Sequence, residues 1–208
     1  MAKITTFSTL KTALGSFVDR DDMDAVGGTW DILIGLCEAE IYRDLRIRFM
    51  ESAFSVTIAS GVAALPADFL ELKHVYVDGS PTQGLDPKSA AWIYANYPTR
   101  AAEAKPVFFA QDADNLIFGP YPDSAYVIKG TYYALPTALG TGNETNWLTT
   151  NAPDLLLNGS LLASVGYLGQ DERAQGWQRN YTDAFNRIME ADERERWPAQ
   201  MPLRMVPG

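Results

Sequence analysis

Phe7, Leu10, Leu14 and Phe17 recur at helical spacing and predict a first helix near the N-terminus. A charged connection follows, with Asp19, Arg20, Asp21, Asp22 and Asp24, closed by Gly27 and Gly28. Thr29 reads as the N-cap of a second helix. Trp30, Leu33, Ile34, Cys37, Ile41 and Leu45 then form a buried stripe. The opposite face carries Glu38, Glu40, Arg43, Asp44 and Arg48.

From about residue 50 the period changes to two. Phe54, Val56 and Ile58 alternate with Ser55 and Thr57, the mark of a half-buried strand. Further strands are predicted at 71–77, 107–110, 116–118 and 125–133. Turn signals at Gly61, Leu65–Phe69, Asp78-Gly79 and Pro120–Asp123 separate them. A short helix is expected over 88–95, stopped before Pro98. Such spacing predicts a small antiparallel sheet or sandwich.

The helical period returns at Asn151-Ala152-Pro153-Asp154, a good helix start. The helix from Asp154 to Leu168 is apolar almost all round, which predicts a central helix buried on several sides. Leu155, Leu157, Leu161, Leu162 and Val165 are its candidate core or subunit-interface residues. A last helix opens near Asp171, with Trp177, Tyr181, Ala184, Phe185 and Ile188 as its stripe, and its end is charged on every face. The tail is different. Pro198, Pro202 and Pro207 forbid a continuous helix, yet Met201, Leu203, Met205 and Val206 are apolar. An extended apolar segment with nothing of its own to pack on fits a docking arm for a partner.

The fold class is therefore α+β: a helical body with an inserted small antiparallel β domain and an extended C-terminal arm. Residues 1–48 and 136–196 are expected to form the body, 49–135 the β domain and 197–208 the arm.

Composition removes alternatives more than it adds any. Over 208 residues there are 17 Lys and Arg against 26 Asp and Glu, so the net charge is −9. A nucleic-acid binder needs a basic surface, and this chain lacks the charge for it. With one Cys and one His, neither an internal disulfide nor a zinc site of several Cys and His ligands can form. Met1–Leu14 has no continuous apolar run and does not read as a signal peptide. Leu155–Leu168 is too short and too polar to span a bilayer.

Candidate chemistry is thin. His74 sits in a predicted strand with no G-x-S-x-G elbow to supply a nucleophile, so it reads as structural. Cys37 lies on an apolar stripe and reads as a small hydrophobe. Asp112 and Asp114, and the run Asp19–Asp24, lack the EF-hand pattern and read as solvated turns. Gly140-Thr141-Gly142 has no following Lys-Ser or Lys-Thr and reads as a plain loop. The many aromatic residues of the middle zone have no interleaved Lys and Arg, which favours core and interface over bases. No cofactor or metal is implied.

Two stretches together are distinctive. One is Glu40-Ile41-Tyr42-Arg43-Asp44-Leu45 followed by Leu65–Leu72; the other is Asn146–Leu157, continuing into Asp171-Glu172-Arg173-Ala174 and the Trp177, Tyr181, Ala184 register. This arrangement resembles the head-to-tail adaptor (connector) proteins of short-tailed bacteriophages. The resemblance implies a non-enzymatic virion protein of the neck, made in the host cytoplasm. It implies a homo-oligomeric ring, commonly a dodecamer, beneath the portal protein, extending the DNA channel and offering a platform for a tail nozzle or tube protein. Genomic DNA would pass without sequence-specific binding, and no membrane is involved. On this resemblance Arg194, Arg196, Trp197, Met201, Leu203 and Met205 are the expected portal-docking residues. The acidity leaves two expectations open: that Asp and Glu outnumber Lys and Arg on the channel wall, or that the charge serves solubility alone. The alternatives are a virion-associated peptidoglycan hydrolase, for which no acid pair stands out, and a lower neck or tail-completion protein.

Overall fold

The computed structural model describes residues 3–20, 22–24, 27–99, 103–169 and 172–196. The chain divides into two units, one of residues 1–48 with 136–208 and one of residues 49–135.

In the first unit, helix α1 (Phe7–Val18) starts at Thr6, whose side chain accepts from Thr9 N while the Thr9 side chain reaches back, a capping box. Glu144 adds a second cap: its carbonyl accepts from Phe7 N at 2.7 Å and its carboxylate from Ser8 N at 3.0 Å. Helix α2 (Thr29–Asp44) buries Trp30, Leu33, Ile34, Cys37 and Ile41, as the stripe predicts, and Leu45 is buried beyond its end. Two expectations change here. The N-cap is Gly28 rather than Thr29, with no side-chain cap, and Asp31 instead accepts from Gly27 N at 2.5 Å. Glu38, expected on the polar face, is buried.

Part of the charged connection after α1 is paired: Asp22 with Arg20 and Asp24 with Lys11. Lys11, only 7% exposed, reaches Asp31 at 2.8 Å and Asp24 at 3.3 Å. Burial pulls its pKa down, but hydrogen bonds to the two carboxylates outweigh this and leave it raised.

The predicted helix start near Asn151 is in fact a junction between two helices. Helix α4 (Trp147–Asn151), the third of this unit in chain order after α3 of the other unit (Ala90–Asn96), begins at Asn146, which forms a capping box with Thr149. Helix α5 runs Pro153–Leu168. Proline has no N–H and disfavours helical geometry at the residue before it, so the chain breaks at Ala152 (φ −138°, ψ 48°). Helix α6 (Ala174–Arg196) completes the unit; Asp171, its expected opening, lies outside the described residues.

Helix α5 is the centre, packing on α1, α2, α4 and α6. It buries Leu155, Leu156 and Leu161, but also Gly159, Ser160 and Ser164. The small residues let neighbouring helices come close. A Cβ on Gly159 would overlap Cys37 Sγ and lie 2.9 Å from the Tyr181 ring. Alanine normally gains about 1 kcal/mol over glycine inside a helix. At Gly159 overpacking, at about 1–3 kcal/mol, should reverse that sign. At Gly166 an added Cβ would meet no neighbouring atom within 4 Å, so the gain should survive. Urea unfolding is therefore expected to show Gly159→Ala less stable than the parent and Gly166→Ala more stable. Equal shifts for the two variants would contradict the close packing.

The second unit is built on two four-stranded sheets, taken in the chain order β1 (Glu51–Ile58), β2 (Val62–Ala64), β3 (Phe69–Val77), β4 (Gln83–Gly84), β5 (Asp86–Pro87), β6 (Phe108–Asp112), β7 (Asn115–Gly119) and β8 (Tyr126–Ala134). Their orders are β1-β8-β3-β4 and β2-β7-β6-β5. Ile58, Ala63, Val75, Val77, Leu85, Leu116, Phe118 and Ile128 form a shared core drawn from both sheets. Helix α3 closes a smaller cluster of Ile93, Ala110 and Ile117. Pairing is antiparallel as expected except between β5 and β6, which run parallel. Parallel strands need a crossover, and α3 lies within the connection that supplies it. In β8, Gly130 is covered by the Phe54 ring of the neighbouring strand; a Cβ there would lie 2.5 Å from it and from His74 O.

Candidate functional site

The residues singled out for chemistry do not converge. His74 lies on an exposed strand face, stacked on Tyr76 with ring centroids 6.1 Å apart and Thr131 Oγ1 3.5 Å from its Nε2. Cys37 is buried, and its thiol is pushed up to about 12 by that burial, which keeps it protonated and unreactive at neutral pH. Asp112 accepts from Tyr94 Oη at 2.8 Å. Asp19 caps α1 in left-handed geometry (φ 57°), and Asp22 is paired with Arg20 at 2.7 Å. Gly140 and Asn143 pair with one another in a loop. A cavity of about 510 Å³ near Leu65, Phe69, Leu70 and Gln111 contains one carboxylate, Asp114. Among the described residues no group of three or more His, Cys, Asp or Glu could hold a metal ion, and no helix is long and apolar enough to cross a membrane.

Two polar assemblies do stand out, both in the helical unit. The first surrounds Glu38, 2% exposed. Its carboxylate accepts from Leu139 N at 2.9 Å and from Asn146 Nδ2 at 2.6 Å. Asn146 Nδ2 also lies 3.3 Å from the Tyr42 hydroxyl, while Asn146 Oδ1 caps α4 through Thr149 N at 3.2 Å. Burial pushes the Glu38 carboxyl above the usual carboxylate range, and the two hydrogen bonds only partly oppose this. Burial and the nearby Glu38 also raise the Tyr42 hydroxyl. These contacts fasten the segment 136–146 and the start of α4 to α2. They fix architecture and offer no open face to a substrate.

The second assembly is the end of α6. Asp192 accepts from Arg48 N at 2.7 Å and pairs with Arg196 at 2.7 Å. Arg196 Nη2 donates to Arg46 O at 2.9 Å, and Arg48 Nη1 to Glu195 O at 3.0 Å. Arg194 is exposed and pairs with Glu190 at 3.1 Å. Of the expected docking residues, then, Arg194 faces solvent and Arg196 is tied to its own chain. Trp197, Met201, Leu203 and Met205 lie outside the described residues.

Among the described residues, several large apolar side chains of the helical unit are exposed. Ile32 and Leu36, one turn apart on α2, are 61% and 59% exposed, and Phe17 and Tyr167 are also open. On α5, Leu155 and Leu161 are fully buried, whereas Leu157, Leu162 and Val165 are only half-buried.

Against known families, the one described as SU10 adaptor protein matches residues 5–206, nearly the whole chain. The chain belongs to this family. It is a phage adaptor protein, a structural component whose family implies interaction with portal and tail parts. No curated protein matches it. The matched span includes both the helical and the β unit of the adaptor. What sequence reasoning missed in this adaptor is how its polar groups are held: Glu38 inside the helical unit and Asp192 in the last turn of α6. The Asn-x-x-Thr capping pattern at Asn146 was the available sign of the first; nothing local marks the second.

Proposed function

We propose that this adaptor forms a closed ring beneath the portal, extends the DNA channel and presents a platform to the tail nozzle or tube. The observation that carries this reading is the family match over residues 5–206. The role is structural and needs no catalytic group. A ring contact is heterologous, so each subunit presents two different side surfaces. Leu157, Leu162 and Val165 supply part of one such surface, while Leu155 and Leu161 serve the subunit's own core. The arm, residues 197–208, docks on the portal through Met201, Leu203 and Met205, with Arg194 and Trp197 at its root.

The net charge of −9 supports a channel wall in which Asp and Glu outnumber Lys and Arg, so that DNA slides rather than sticks. Electron microscopy of the chain mixed with purified portal rings is expected to show one coaxial ring with an acidic lumen. Scattered single subunits, or a lumen lined mainly by Arg and Lys, would contradict the reading.

A further inference from the structure

We propose that Asp192 is a positioning residue for the docking arm: it holds the last turn of α6 on the main chain of Arg46–Arg48 and so sets where the arm begins. The inference rests on the reading that residues 197–208 dock on the portal.

An acidic side chain near a helix C-terminus is opposed by the helix dipole. Asp192 lies one turn from the end of α6 (Ala174–Arg196), so it gains nothing from the helix dipole. Its partners account for it. The side chain is 9% exposed, while Glu193, Arg194 and Glu195 around it are exposed. One oxygen accepts from Arg48 N at 2.7 Å and the other from Arg196 Nε at 2.7 Å. Arg196 then donates to Arg46 O at 2.9 Å, and Arg48 Nη1 donates to Glu195 O at 3.0 Å. Charge-assisted bonds of this length are the stronger kind.

The anchor is flanked by buried residues. Leu45 is fully buried and Ile47 is 3% exposed, so the main chain between Arg46 and Arg48 is fixed by its neighbours. A helix normally frays in its last turn, because its final carbonyls lack partners. Here that turn is pinned from outside, and the arm starts at the next residue. A pinned root leaves less freedom to be lost when the arm docks, which is preorganisation. The buried residues of α6 itself, Trp177 and Ala184, lie further back along the helix, so releasing the last turn leaves the packing intact.

The test compares the full chain with Asp192→Asn, Arg48→Met, Asp183→Asn and a chain lacking residues 197–208. Two quantities are measured: amide hydrogen exchange over residues 193–196 and affinity for purified portal rings. Asp192→Asn turns an NH₂ toward the Arg196 donors. Arg48→Met removes the contacts to Glu195 and leaves Arg48 N in place. Both are expected to speed exchange at the helix end by about tenfold or more and to weaken portal binding about tenfold. Asp183→Asn, at an exposed position of the same helix, should change neither. Unchanged exchange in both clamp variants overturns the proposal, as does faster exchange with undiminished affinity. If the chain lacking 197–208 binds portals at full strength, the docking reading fails and the positioning role with it. If that chain is weakened while Asp192→Asn is not, the positioning role alone fails.

Discussion

Removing residues 197–208 is expected to leave a folded protein that no longer joins portal rings. The folded part of this expectation rests on burial. Every helix and strand described above ends at or before Arg196, and among the described residues the cores of both units are made of residues between Phe7 and Ala184. Thermal unfolding should therefore shift by no more than the value of a few surface contacts. The binding part rests on the segment's character. Between its three prolines lie Met201, Leu203, Met205 and Val206, apolar residues that a solvated tail would not need. An extended segment that places such side chains in a partner's groove carries much of the affinity in a few contacts. The loss should be at least about a hundredfold, measured by co-sedimentation with purified portals. Unchanged co-sedimentation would remove the docking role from the arm.

Glu38→Ala should be among the most destabilising single changes in the helical unit. It leaves Leu139 N and Asn146 Nδ2 without their acceptor in a part-buried place, at a cost of about 2 kcal/mol. It also frees Asn146, the N-cap of α4. The milder Glu38→Gln carries a pH signature. Burial raises the Glu38 pKa in the folded chain above its unfolded value, so the folded state binds the extra proton. Stability from this group is then highest below the ordinary carboxylate range and falls as pH rises through the raised pKa. Glutamine does not titrate. Glu38→Gln should thus cost more near pH 4 than at neutral pH, as read from urea midpoints across that range. A cost that grows toward neutral pH would mean the carboxylate is stabilised in its charged form.

The α+β class is legible because the two periods are clean. The stripe from Trp30 to Leu45 and the alternation from Phe54 to Ile58 each point to one structure, and each forms it. Other features depend on partners distant in sequence. Glu38 lies four residues after Ile34 and three before Ile41, on the flank of the stripe, and its charge argues for solvent. Its burial follows from Leu139 and Asn146, about a hundred residues away. Gly159 reads as an interruption of an apolar run; it is the point where Cys37 and Tyr181 come closest to α5. Pro153 reads as a helix start, and it is, but the proline also marks the end of α4, whose C-cap Ala152 is the residue before it. At the candidate docking site the sequence points to Arg194 and Arg196 as the root of the arm. It cannot indicate that Arg196 is held by Asp192 and Arg46, because the second of these contacts joins positions 150 residues apart.

As proposed above, this chain is one segment of a ring built on a portal. Light scattering with mass determination tests it most directly, on the pure protein, on purified portal rings and on their mixture. The mixture is expected to contain a particle heavier than the portal by one full ring of 22.9 kDa subunits, with no intermediate species accumulating. A mixture whose masses are only those of the two components would contradict it.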